Sequence, residues 1–355
     1  MDYKKLKTIF LIRFWVLVIF IFPVEIFALD ITSHDFRLSK FRGFHIEGVS
    51  DGPRADADIN ALAKTGANLV RISVFLKRCS DCTTYSLPEN DLKTLDLNIK
   101  AFAARDIYTY IVLRPAGDER GILWSTNALR QSFISQWSTL ALRYKNVASV
   151  AAFDLLNEPV PPGRDYDIRQ TSWLSFAEEL IRAIRSIDSN RVIIVESAPD
   201  ATPASYNNMR ALPFENLVYS FHSYSPFELT HQGVYQGINK RLTYGSQKTD
   251  DVSKEDLYKI LSNVDNFAKK YDVPIIVGEF SIVRYAPKNS AFNYISDSLE
   301  YFEQKGWSWT YHDFRGWPGW DSEIGSDSPN FSIRSDSAPI ISLLKRRMQS
   351  NKNSH

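Results

Sequence analysis

The chain has 355 residues, 44% of them apolar and 23% charged, a composition that buries a large core and excludes a disordered chain. Lys+Arg 42 against Asp+Glu 41 leave a formal charge of +1, which argues against nucleic acid or another polyanion as partner. Aromatic residues reach 13%, with Trp 8, enough to fill a core and still line a sugar-binding cleft.

At the N-terminus Lys4, Lys5, Lys7 and Arg13 precede an apolar run from Phe14 to Phe22, followed by Pro23 and Ala28. That order is the order of a secretory signal, so residues 1–28 read as a signal peptide cleaved after Ala28. The run is short for a membrane span and Glu25 ends it, which makes a retained anchor the lesser reading. The mature chain is expected to be secreted or periplasmic, with no stable membrane partner. No Pro/Ser-rich or charged linker divides residues 29–355, which read as one domain.

Past residue 40, short apolar runs alternate with segments of helical period. Strands are expected at Gly43–Gly48, Leu69–Phe75, Tyr108–Leu113, Val150–Leu156, Val192–Glu196, Leu217–Phe221, Ile275–Gly278 and Ser308–Tyr311. Helical stripes run through Leu92–Phe102, Leu129–Tyr144, Trp173–Ile184, Leu257–Phe267 and Phe292–Phe302, with a closing helix near Ile340–Leu344. Asp200–Glu215, between the fifth and sixth strands, has little periodicity and is the weakest helix. Strands alternating with helices over this length predict a (β/α)₈ TIM barrel. A doubly wound sheet is the alternative, but no Gly-rich phosphate loop follows the first strand. Cys79 and Cys82, the only cysteines, share one loop after the second strand and are a disulfide candidate in an oxidising compartment. A zinc site would need two more ligands, and a thioredoxin-like pair should open a helix.

Catalytic groups of such barrels sit at the C-terminal ends of strands. The fourth strand delivers Asn157-Glu158-Pro159 and the seventh Gly278-Glu279-Phe280. Hydrolysis of a glycosidic bond with retention needs one carboxylic acid on the leaving oxygen and one carboxylate on the anomeric carbon, about 5 Å apart. Strand ends four and seven face each other across a barrel mouth. Either glutamate alone has a bland alternative, as a helix cap or an arginine partner.

These motifs, with Arg71 on the second strand, His222-Ser-Tyr224 after the sixth and Trp307-Ser-Trp-Thr-Tyr-His312 at the eighth, resemble glycoside hydrolase family 5, the large cellulase family, from about Phe41 to the C-terminus. The resemblance implies Glu158 as acid/base, Glu279 as nucleophile, and Asn157 beside them for the sugar 2-hydroxyl. It makes Arg71 and Tyr224 the holders of the nucleophile and His222 the support of the acid/base side. It further implies an oligo- or polysaccharide substrate, above all a β-glucan, and makes residues 29–355 the catalytic domain; a monomer is expected. Neither metal nor organic cofactor is expected.

Two positions depart from the family pattern. Arg114 in Ile111-Val-Leu-Arg114-Pro115 stands where many members carry His, and His312 where many carry a Trp floor. Both are expected to bear on substrate choice. Trp309 is then expected in the core, and Trp317, Trp320 and Trp124 become the candidate sugar platforms. Glu196, Asp313, Asp321 and Glu323 read as solvated or ion-paired groups at the cleft rim. Two long connections, Pro226–Asp251 and Asp313–Asp336, are expected to shape the cleft. Transglycosylation, or sugar binding without turnover, are the competing functions.

Overall fold

Each apolar run forms a strand because both its faces are covered, one by the barrel interior and one by helices. A computed structural model describes residues 31–349 and 351, apart from 50, 51, 118, 239, 246, 248 and 327–332. The signal-peptide reading lies outside these residues. No helix among the described residues is long and apolar enough to cross a membrane.

The strands are β1 (Arg42–Ile46), β2 (Leu69–Leu76), β3 (Tyr108–Pro115), β4 (Val150–Asp154), β5 (Val192–Glu196), β6 (Leu217–Ser223), β7 (Ile275–Phe280) and β8 (Ser308–Tyr311). They pair in parallel and close into a barrel, β1 meeting both β2 and β8. Around it lie α1 (Asp56–Lys64), α2 (Glu89–Ala103), α3 (Asn127–Tyr144), α4 (Tyr166–Arg185), α5 (Lys254–Tyr271), α6 (Ser290–Gln304) and α7 (Pro339–Met348). The expected (β/α)₈ architecture is present.

The barrel interior is graded along its axis. Phe36, Phe41, Leu69, Tyr110, Ala152, Ile194, Val218 and Ile276 fill the end where the strands begin. Toward the other end the buried side chains turn polar, with His45, Arg71, Asp154, Glu196 and His222 replacing apolar ones. Burial of each large apolar side chain contributes about 1.5–3 kcal/mol, and the apolar end supplies the rigidity that lets the polar end hold unfavourable charges. Gly43 sets the closest approach of β1 to β2: a Cβ there would lie 1.7 Å from the Leu69 carbonyl oxygen.

Helices α3 and α4 also hold the strand ends that carry the carboxylates. Trp137 of α3 is fully buried and its indole N–H donates to the Leu155 carbonyl at 2.8 Å. Trp173 of α4 does the same for the Glu196 carbonyl at 2.7 Å. Trp309 is buried in the core, as expected.

Three local features differ from the sequence reading. Between β5 and β6 only a 3₁₀ helix forms, Pro203–Asn208, whose Pro opens a segment too short in apolar residues for a full helix. Helix α1 carries only Ile59 and Leu62 as buried residues, too sparse a stripe to stand out by period. The connection after β6 holds a helical turn, Phe227–Thr230, and a two-residue ladder pairing Tyr244–Gly245 with Val252–Ser253.

Candidate active site

Arg71 is the centre from which the site is built. Its side chain is fully buried inside the barrel and reaches four acceptors on three strand ends. Nη1 donates to Glu279 Oε1 at 2.5 Å, while Nη2 donates to Asn157 Oδ1 at 3.0 Å, Glu196 Oε1 at 2.8 Å and Asp154 Oδ2 at 3.2 Å. A planar guanidinium is suited to such divergent bonding in a dry interior. Asn157 turns its amide oxygen to Arg71 and lines the cleft.

Glu279, at the end of β7, receives the Tyr224 hydroxyl on its other oxygen at 2.9 Å. Opposite it, Glu158 follows β4 with a left-handed backbone, φ 47°, fixed by its own N–H donating to Glu196 Oε2 at 2.6 Å. Glu158 Oε1 lies 2.9 Å from His222 Nδ1, and Oε2 accepts from Arg120 Nη1 at 2.8 Å. Glu158, His222 and Glu279 each bring one atom within 4.8 Å of the others, so the two carboxyl groups are as close as a retaining glycosidase requires. The register between β6 and β7 slips at Phe221/His222 and sets His222 opposite Glu279. Gly278 makes room for this, since a Cβ there would meet Ser220 Oγ at 2.7 Å and His222 Nε2 at 3.2 Å.

Burial alone would push the Glu279 carboxyl up. The charges of His222 and Arg71 overcome it and hold the group well below the usual carboxylate range. Of these, Arg71 is charged at every working pH. His222 is opposed by burial yet raised well above its ordinary value by Glu279 and Glu196 and by its bonds to Glu158 and Glu196, so it is an imidazolium. Glu196 is held down, against burial, by His222, Arg71 and the Glu158 N–H. Asp154 is pushed above the usual carboxylate range by burial and by Glu196, against the pull of Arg71. The cations Arg71 and His222 thus face the carboxylates of Glu279 and Glu196 in the dry interior, where opposite charges offset one another's burial.

The remaining expectations are distributed differently. Arg114 touches neither glutamate: it pairs with Glu47 at 3.0 Å, lies 4.9 Å over the Phe75 ring and lines the cleft wall. His312 meets His45 Nδ1 through its own Nδ1 at 2.7 Å and sits 3.7 Å from Glu279 Oε2. Trp320 packs edge-on to His312, and Trp317, 39% exposed, packs edge-on to Trp320; both line the cleft. Trp124 is not a platform, because it packs on Trp173 and Phe176, away from the carboxylates. Glu196 is not at the rim: it is fully buried beneath Glu158 and positions it. Asp313 is buried too and accepts from the Trp317 N–H at 3.2 Å, whereas Asp321 and Glu323 pair with Arg334 and Arg315. Cys79 and Cys82 form a disulfide.

His45, Asp154, Ser73 and Arg120 were not singled out by the sequence. His45 is buried, and burial together with the charge of Arg71 keeps it neutral; its Nε2 bonds Ser73 Oγ at 2.7 Å. A histidine inside the first apolar run is the only signal that pointed to it. His45, His312 and Glu279 also bring ligand-type atoms within 4.8 Å. Yet the two imidazole nitrogens stand 2.7 Å apart, closer than the roughly 3.3 Å of two nitrogens on one tetrahedral ion, and Arg71 already occupies Glu279.

The family model described as cellulase (glycosyl hydrolase family 5) matches residues 29–316. The chain belongs to this family. Glycosyl hydrolase family 5 membership makes it an enzyme that hydrolyses O-glycosyl bonds, and the carboxyl spacing is that of the retaining class. Endoglucanase C of Acetivibrio thermocellus is 26% identical over 328 residues, covering 84% of this chain and 88% of that protein. Cellodextrinase A of Ruminococcus flavefaciens is 22% identical, covering 64% and 66%. The fold is shared with the endoglucanase Cel5A from the hyperthermophilic Thermotoga maritima, with a TM-score of 0.72 at 21% identity over 88% of this chain and 100% of that one.

Proposed function

We propose that the chain is an exported, endo-acting β-glucanase that works by double displacement, with Glu279 as nucleophile and Glu158 as acid/base. The observation that carries this reading is the carboxyl pair within 4.8 Å, one member locked to Arg71 and Tyr224, the other oriented by His222. Glu279, ionised and pinned at both oxygens, attacks the anomeric carbon while Glu158 gives its proton to the departing oxygen; Glu158 then takes a proton from the water that releases the sugar. Asn157 is placed for the sugar 2-hydroxyl, and Arg71 and Tyr224 keep the nucleophile aimed.

A β-glucan substrate is supported by the relatives named endoglucanase. Endo action is supported by the groove. A cleft of about 570 Å³ around both glutamates runs out past Arg120, Asp200, Phe227 and Tyr235. Through Glu47, His312 and Trp320 it joins a second cleft of about 800 Å³ lined by Phe75, Arg54 and Trp317. Sugar rings are accommodated on both sides of the cut. Exposed rings stand in both arms: Trp317 in one, and in the other Phe227 and Tyr235, whose planes lie within 19° of each other. Export is supported by the order of residues 1–28 and by the Cys79–Cys82 disulfide, and a mature N-terminus at Leu29 is expected.

Chemical rescue tests the assignment. Glu158→Ala should lose kcat/KM chiefly on poor leaving groups and turn over with azide to a β-glycosyl azide. Glu279→Gly should lose both good and poor leaving groups and, with azide, yield the α-glycosyl azide. Exchanged outcomes would reverse the two roles.

A further inference from the structure

The disulfide and the acid/base candidate are connected by a chain of directed contacts. Arg78, next to the Cys79–Cys82 bridge, spends Nη1 on the carbonyl oxygens of Cys79, Ser80 and Cys82 at 3.0, 3.0 and 2.9 Å. Its Nε and Nη2 grip Glu119 as a fork, at 3.0 and 2.8 Å. The guanidinium therefore fills the loop that the disulfide closes and hands its remaining donors to the connection after β3. Glu119 is fixed a second time, because its carbonyl accepts from the N–H groups of Ile122 and Leu123 at 2.9 and 3.3 Å, and Leu123 is fully buried. Arg120 stands between these two anchors. Its Nη1 reaches Glu158 Oε2 at 2.8 Å and Asp200 Oδ1 at 3.3 Å.

We propose that Arg120 is a positioning residue for Glu158, and that the disulfide-closed loop sets it through Arg78 and Glu119. The proposal rests on the reading of Glu158 as acid/base. His222 fixes one oxygen of that carboxyl; among the described residues only Arg120 fixes the other, and two fixed oxygens define the plane in which a proton leaves. As the C–O bond breaks and Glu279 bonds the anomeric carbon, the Glu158 proton passes to the leaving oxygen and the new carboxylate faces the Arg120 cation. Water later returns a proton to Glu158. Arg120 keeps its own protons throughout. A free arginine would lose rotamer entropy to reach this place, and the anchored connection removes that cost beforehand.

The test compares kcat/KM, which reports the glycosylation step, on a soluble β-glucan and on a dinitrophenyl β-cellobioside that needs little protonation. Arg120→Ala should lose about tenfold on the glucan and no more than about twofold on the aryl glycoside, a fraction of what full acid catalysis contributes. Arg120→Lys should recover part of the loss. Arg78→Ala and the Cys79→Ser/Cys82→Ser pair should lose about threefold to tenfold on the glucan alone, and Arg78→Ala should add nothing in the Arg120→Ala background. Reduction of the folded enzyme with dithiothreitol is a second route to the same result where a variant folds poorly. Equal losses on both substrates, or additive losses of Arg78 and Arg120, would overturn the relay. Glu158→Ala in the same assay separates the two claims. If it shows the leaving-group contrast and Arg78→Ala does not, the relay alone fails. If it shows none, the acid/base reading fails and the relay with it.

Discussion

Glu279 has two tight donors, and the energetics of each are accessible by mutation. Tyr224→Phe removes one hydrogen bond to a charged oxygen and leaves the ring packed, so kcat/KM should fall about tenfold with the fold intact. The depressed Glu279 carboxyl also has a sign in the stability curve. Its ionised form adds stability above the ordinary carboxylate range, and this contribution is lost as pH falls through the depressed value. Glu279→Gln lacks it. The melting-temperature difference, wild type minus variant, should therefore shrink between about pH 6 and about pH 3; a constant difference would deny the shift. The sequence singled out Glu158, Glu279, Asn157, Arg71 and Tyr224 because each follows or sits within an apolar run, and the structure brings them together. Glu196 was misplaced at the rim because its burial depends on how far β5 extends relative to β4. Arg120 lies in a loop, where spacing carries no information about reach.

At the scale of elements, the strands were legible because two-sided burial writes continuous apolar runs, and all eight expected starts match within a residue those observed. Even the eighth, Ser308–Tyr311, is short yet distinct. What periodicity could not supply was register. The slip between β6 and β7 is invisible in either strand alone, yet it sets His222 beside Glu279. Gly278→Ala should therefore damage catalysis more than folding: the new methyl meets Ser220 Oγ and His222 Nε2 at 2.7 and 3.2 Å, costing about 1–3 kcal/mol of stability and displacing the imidazolium. Activity should drop more than tenfold while circular dichroism stays that of the wild type. An active Gly278→Ala enzyme would mean that His222 tolerates displacement. The connection between β5 and β6 was unreadable for the opposite reason, since Pro203–Asn208 makes a 3₁₀ turn with no period to detect.

Across the whole molecule, an apolar barrel floor supports a polar mouth, and the mouth opens into a groove with two arms. Trp317 belongs to one arm and Phe227 and Tyr235 to the other. Trp317→Ala should weaken binding of long glucans and shift product sizes in one direction, and Phe227→Ala/Tyr235→Ala in the other, as chromatography of early digests would read; identical product patterns would remove the two-armed account. The departures at Arg114 and His312 lie where the arms meet, and Arg114 is already neutralised by Glu47, so it offers the cleft a donor more than a net charge. The central claim is the double displacement by Glu279 and Glu158 across less than 5 Å, and the most direct measurement is the anomeric configuration of the sugar first released from a β-glucan, followed by NMR before mutarotation. The β-anomer is the predicted product; the α-anomer would contradict the account.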